Sequence, residues 1–283
     1  MARSPTPPPF VAACVQFDVH RGEVERNLAA AEAGLRAAAA AGARLAVLPE
    51  VWTTSIQAAY GAEIVQRSLA AEARLQELSR TLGMVVVGGG IESEEGRIYN
   101  VARVVAEGRV LGTARKIHLF SPNGEDKVFT AGERPLLVET PLGRIGVAIC
   151  YDLRFPELVR WFFAQRAEVL CVPAQWPEAR AEHWLALSQA RAIENQLFLM
   201  ACNRTGREPS LKRQAALHFP GNSRIVDPTG EILARGNGED EPVLATLDLA
   251  RTRMIRRLLP IERDRRPEVY ERIWGPGWRP LRG

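Results

Sequence analysis

GRIGVAICYDLRFP, residues 143–156, reads as a strand that ends on a cysteine and turns at once into a helix. Residues 145–149 are apolar, and Ile145, Val147 and Ile149 are β-branched. Pro141 and Gly143 bound the run on one side and polar residues on the other, as for a buried strand. Cys150 closes it. Asp152 is placed to cap the following helix and Pro156 to sit in its first turn. That helix carries Leu158, Val159, Trp161 and Phe162 inward. Strand, Cys, sharp turn and helix form a nucleophile elbow with Cys in the place of Ser. The positive end of a helix dipole favours a thiolate there, and the Tyr151 N–H is aimed to hold an oxyanion. A cysteine on an apolar strand is also ordinary core filling, so the remainder of the chain has to decide between the two.

Outward from this segment, strands alternate with helices. Residues 10–17, 44–48 and 84–91 read as strands, and 22–41 and 62–82 as helices that stop at Gly42 and Gly83. Residues 98–106 and 110–116 pair across Glu107-Gly108. Residues 117–134 and 204–220 read as long loops, which in compact domains usually carry function. Past the elbow come strand 168–173, helix 181–195, strand 197–202, closing strands at 222–226, 231–234 and 242–247, and a last helix at 252–259. No repeat or internal linker interrupts the pattern. It fits a single α/β domain with helices outside buried sheets, and functional residues beyond the strand ends.

Composition narrows the class. Of 283 residues, 46% are hydrophobic, ample for a core, and the four cysteines stand far apart with no CxxC pair. Neither a disulfide framework nor a structural metal site is expected, and free thiols point to a reducing, cytoplasmic compartment. No apolar run approaches the 18 or so residues of a membrane span, and residues 1–9 read as a disordered lead-in. The net charge of +4 is uneven: residues 251–283 hold ten arginines against four acids. Those arginines alternate with Leu258, Leu259, Ile261, Tyr270, Ile273, Trp274 and Trp278. A tail this apolar is expected to pack on the domain of residues 10–250 or on a partner subunit, rather than bind nucleic acid.

Three chemistry-bearing residues each end an expected strand. Glu50 follows LAVLP, Lys116 follows VLGTAR and Cys150 follows GVAI. A carboxylate that takes a thiol proton, a thiolate that attacks a carbonyl or nitrile carbon, and an ammonium that stabilises the oxyanion make a reaction site in outline. Taken singly, each is an ordinary strand-end residue.

The segments LAVLPEVW, ARKIHLF and GVAICYDLRFPEL resemble, in order and spacing, the three motifs of the nitrilase superfamily of carbon–nitrogen hydrolases. The resemblance runs from VAACVQFD to DRRPEVY. It implies a four-layer α-β-β-α sandwich, a homodimer or larger homo-oligomer, and hydrolysis without metal or organic cofactor. It implies Cys150 as nucleophile, Glu50 as general base and Lys116 as oxyanion stabiliser. A second carboxylate that positions Glu50 and the substrate amine falls on Glu125 or its neighbour Asp126.

Tyr151 after the nucleophile, where nitrile-hydrolysing members have Trp, resembles the amidase branches. The segment PAQWPEARAEHW resembles omega-amidases, which release ammonia from the ω-amides of small α-keto or dicarboxylic acids. Trp176 then walls the pocket or fills the core. Arg154 either meets a substrate carboxylate or pairs with Asp152 or Glu157. Arg204 and Arg207 are further candidate cations, and His183 reads as structural. KRQAALHFPGNS departs from the omega-amidase pattern, so amidases of deaminated glutathione, carbamoyl-cleaving and aliphatic amidases stay open. So does a non-catalytic binding protein on the same scaffold.

Overall fold

The computed structural model describes residues 7–212 and 216–275. Most of the expected lead-in and the end of the tail, Trp278 included, lie outside them. Two sheets dominate. The first runs β15 (Pro242–Leu247), β1 (Phe10–Val15), β2 (Ala43–Val47), β3 (Val85–Gly88), β5 (Arg97–Ala106) and β4 (Ile91–Glu94), with β6 (Arg109–Arg115) also on β5. The second runs β14 (Ile232–Arg235), β13 (Arg224–Val226), β10 (Phe198–Asn203), β9 (Val169–Ala174), β8 (Gly143–Val147) and β7 (Leu136–Thr140). The central strands of each are parallel and the flanking ones antiparallel.

The side-chain period of two explains the layering. On β1, Ala12 and Cys14 face the second sheet, where Val147, Cys171 and Cys202 meet them in one buried cluster. Ala13 and Val15 point the other way, onto α1 (Val24–Ala40) and α2 (Ala62–Leu82), against Leu35, Ala38, Leu75 and Leu78. Both faces of these strands are therefore apolar, as strands buried on both sides require. Each large aliphatic side chain buried this way contributes roughly 1.5–3 kcal/mol. Helices α3 (Pro156–Ala164) and α4 (Ala181–Asn195) cover the second sheet, completing the four layers of an α-β-β-α sandwich. Close packing of α3 demands glycine on β8: a Cβ at Gly146 would lie 2.5 Å from the Phe162 ring.

The structure departs from the expected elements in four places. The strand expected at 84–91 divides into β3 and β4, because at Gly89 the β5 backbone comes too close for any side chain, with Val101 O 2.4 Å from a built Cβ. Residues 136–140 form an edge strand that went unread. Within 204–220, expected as a loop, the strands β11 (Thr205–Pro209) and β12 (Ala216–Pro220) pair antiparallel. Among the described residues the tail holds three helices rather than one: α5 (Ala250–Leu258), α6 (Ile261–Asp264) and α7 (Pro267–Trp274). It rests on the domain through Arg256, which donates to Ala167 O (2.6 Å), and through Gln196, which donates to Leu259 O (2.8 Å). Leu258, Leu259 and Ile273 remain more than half exposed.

Candidate active site

The chain enters the elbow extended at Ile149, then Cys150 takes φ +47°. That left-handed conformation is strained for a residue with a side chain. A 3-10 turn, Cys150–Arg154, follows before α3 begins at Pro156. Asp152 therefore does not cap α3. It is buried, and its Oδ2 accepts from Ile149 N (3.0 Å) while its Oδ1 accepts from His118 N (2.8 Å). Its Oδ1 also lies 2.8 Å from His118 Nδ1, and the His118 ring stacks on Phe155. This carboxylate ties the elbow to the segment that carries Lys116.

Glu50 leaves β2 and Lys116 leaves β6 at the same rim of the first sheet, facing the elbow on the second. The Lys116 ammonium donates to Glu50 Oε1 and to Glu125 Oε2, both at 2.7 Å. The Lys116 and Glu50 side chains are fully buried and Glu125 nearly so. Glu125 Oε2 also accepts from Phe120 N (3.0 Å). Glu125, not Asp126, is therefore the second carboxylate of the cluster: Asp126 points outward and meets Lys127. Glu125 reaches Glu50 through Lys116 rather than directly.

Two residues that the sequence reading missed complete the support. Asn100 Nδ2 donates to Glu50 Oε1 (2.7 Å). Gln175 donates from its backbone N to Glu50 Oε2 (3.0 Å) and from its side chain to Glu50 O (2.8 Å). Gln175 stands directly before Trp176 in a segment that was read, but nothing local marks a backbone N–H as a carboxylate partner.

Charge sets the resting state. Burial pushes the Cys150 thiol well above its usual range and the negative charge of Glu50 adds to this, while Lys116 and a hydrogen bond from the Gln175 backbone oppose it. The expected helix-dipole thiolate is thus corrected: the 3-10 turn separates Cys150 from α3, Glu50 lies close, and the resting group is a thiol. Burial works against the Lys116 ammonium, but the Glu125 and Glu50 carboxylates outweigh it and hold its pKa well above the ordinary value. Burial also raises Glu125, partly offset by Lys116.

The same effect acts on stability. Burial is the leading cause that raises Cys14, Cys150 and Cys171 well above the usual thiol range. The unfolded chain loses these protons near the ordinary thiol pKa of about 8.5; the folded chain keeps them to higher pH. The folded state then binds more protons, so the contribution is complete below about pH 8.5 and is lost as pH rises, at roughly 1.4 kcal/mol per pH unit per thiol. The melting temperature is expected to fall steadily between about pH 8.5 and 10.5, less steeply in Cys171→Ala. A curve that is flat or rising across that interval would contradict it.

Cys150 opens onto a cleft whose empty space, open solvent at the mouth included, is about 850 Å³. Tyr151, Trp176 and Phe219 wall it with aromatic surface, and Glu125 and Arg154 also line it. Trp176 is both expected things at once: 3% exposed, yet with one face on the cleft. Arg154 pairs with neither Asp152 nor Glu157. Its guanidinium lies over the Trp176 ring, 4.6 Å from the centroid, and 3.2 Å from His183 Nδ1. His183, expected to be structural, is an exposed residue that holds this arginine. Arg204 is no substrate cation; it is fully buried against Asp18 (2.8 Å) and Glu208 (3.1 Å). Arg207 is exposed and outside the cleft lining. Among the described residues no cluster of His, Cys, Asp and Glu could hold a metal ion, and no helix is long and apolar enough to cross a membrane.

Comparison with known proteins agrees with this geometry. Residues 11–257 match the carbon–nitrogen hydrolase family. The chain belongs to that family. This carbon–nitrogen hydrolase is 34% identical to the 2-oxoglutaramate amidase of Bacillus subtilis, over 92% of this chain and 99% of that one. It is 35% identical to the chloroplastic omega-amidase of Arabidopsis thaliana, over 88% of this chain and 70% of the other. A carbon–nitrogen hydrolase of Helicobacter pylori superposes with a TM-score of 0.87 at 25% identity, covering 95% of this chain and 99% of that one. The hydrolase therefore acts on carbon–nitrogen bonds, within the nitrilase-like fold that its residues 143–156 foreshadow.

Proposed function

We propose that this hydrolase releases ammonia from the ω-amide of a short α-keto or dicarboxylic acid through a thioester on Cys150. The observation that carries the reading is the buried Glu50–Lys116–Glu125 cluster beside a strained cysteine in one small-molecule cleft.

The residues divide the work. Glu50 Oε1 already accepts two hydrogen bonds and Oε2 accepts one, so Oε2 keeps room for the Cys150 proton. As that proton moves, Sγ bonds to the amide carbon and the carbonyl oxygen becomes an oxyanion. Lys116 has three N–H bonds, two of them spent on carboxylates; the third is left for the oxyanion, beside the Tyr151 N–H of the elbow turn. Glu50 returns the proton to the nitrogen, the C–N bond breaks, and ammonia leaves a thioester. Glu50 then takes a proton from water, the hydroxide adds to the thioester carbon, and Sγ departs and regains its proton. Glu125 keeps Lys116 charged and aimed. Arg154, held over Trp176, meets the substrate carboxylate.

The same proposal includes a homodimer or larger homo-oligomer, with the exposed Leu258, Leu259 and Ile273 of the tail as surface for a second copy. It also includes a cytoplasmic setting, in keeping with four unpaired cysteines.

Ammonia release from a panel of amides tests the substrate class. The panel is 2-oxoglutaramate, 2-oxosuccinamate, succinamate, butyramide, a deaminated glutathione and a carbamoyl compound. A charge-assisted contact at the far end is worth roughly 1.5–3 kcal/mol, so kcat/KM for the short ω-amides is expected to exceed that for butyramide about tenfold or more. Preference for butyramide, the glutathione derivative or the carbamoyl compound would overturn the reading.

A further inference from the structure

The cleft lining also holds the guanidinium of Arg180, a residue within the segment PAQWPEARAEHW to which no role was assigned. Its backbone is fixed: Arg180 N donates to Pro177 O (3.0 Å), and its carbonyl accepts from Trp176 Nε1 (2.8 Å). The turn that carries it is pinned again through Glu178, whose carboxylate lies 2.8 Å from His218 Nδ1 on β12. The guanidinium itself lies over the Phe120 ring, 5.3 Å from the centroid.

Among the described residues, neither Arg180 nor Arg154 has a carboxylate partner. The acids around them are engaged elsewhere. Glu178 is with His218, Glu125 with Lys116, Asp152 with His118, and Glu208 with Arg21 (3.0 Å) and Arg204. Arg154 spends two N–H groups on His183 Nδ1, which must accept and is therefore unprotonated at that nitrogen. Burial pulls the Arg154 pKa down, and the nearby positive charge of Arg180 pulls it further. Two arginines that repel each other, each seated on an aromatic face and pointed at one cleft, gain most from an anion placed between them.

We propose that Arg180 is a second specificity-determining cation, which with Arg154 brackets the far carboxylate of the substrate and restricts the enzyme to anionic amides. This rests on the ω-amide reading above. A neutral amide of the same length leaves both guanidiniums unneutralised, so discrimination against it comes from two residues rather than one.

The test compares succinamate with butyramide, in which a methyl replaces the carboxylate, for wild type, Arg180→Gln and Arg180→Lys. In Arg180→Gln the ratio of the two kcat/KM values is expected to fall about tenfold, through a higher KM for succinamate with kcat held within about threefold. Arg180→Lys, which keeps the charge, is expected to recover much of the ratio. A ratio unchanged in Arg180→Gln overturns the assignment while leaving the ω-amide reading intact. So does a parallel loss on both substrates, the mark of a structural residue. A wild type that shows no preference for succinamate over butyramide overturns both.

Discussion

Lys116→Met is expected to cost about 3–5 kcal/mol of folding stability and to slow ammonia release by about a thousandfold or more. The size follows from what the ammonium separates. Its two hydrogen bonds, both 2.7 Å, run to carboxylates that are themselves buried. With methionine there, Glu50 and Glu125 face each other across an apolar side chain. Two buried like charges cannot both persist, so one carboxyl takes a proton. If Glu50 takes it, the base is lost along with the oxyanion donor. Urea titration and a turnover assay on the same sample separate the two effects. The double variant Lys116→Met/Glu125→Gln, which removes the second charge, is expected to regain part of the stability and none of the rate. A Lys116→Met protein with wild-type midpoint and turnover would contradict the arrangement.

Cys150→Ala is expected to lower ammonia release by about four orders of magnitude or more while leaving the fold intact. Without Sγ, water would have to attack the amide directly in a cleft built to present sulfur. The stability cost is small by comparison, because the residue leaves its strand at φ +47° and borders open space. The other three cysteines offer no substitute. Cys14, Cys171 and Cys202 are fully buried between the sheets, where they pack as small hydrophobes. Iodoacetamide should therefore label Cys150 before them, through deprotonation by Glu50, and Glu50→Gln should slow that labelling.

Residues 143–156 were legible because their information is local. Alternating β-branched residues, a Cys at the strand end and a Pro six residues on define strand, elbow and helix without reference to the remainder of the chain. Glu50 and Lys116 were legible for a similar reason, each standing just past the end of an expected strand. The pairing of β11 with β12 was not. It is held by Arg204 against Asp18, 186 residues earlier, and by Glu208 against Arg21, partners that no window of sequence brings together. Asn100 and Gln175 were hidden likewise, since each reaches Glu50 across at least 50 residues. The protonation of Cys150 was misread because the helix dipole is a sequence-visible feature, whereas the Glu50 charge beside the thiol appears only after folding. Arg154 illustrates the same limit: Asp152 and Glu157 are its neighbours in sequence, but Trp176 and His183 are its neighbours in space.

The most direct test of the covalent route is the intact mass of the protein quenched during turnover of succinamate. The wild type should carry an adduct equal to the substrate less ammonia, mapped to the peptide that contains Cys150 and absent from Cys150→Ala. Turnover with no such adduct, an adduct on another residue, or ammonia release that persists in Cys150→Ala would contradict Cys150 as the nucleophile.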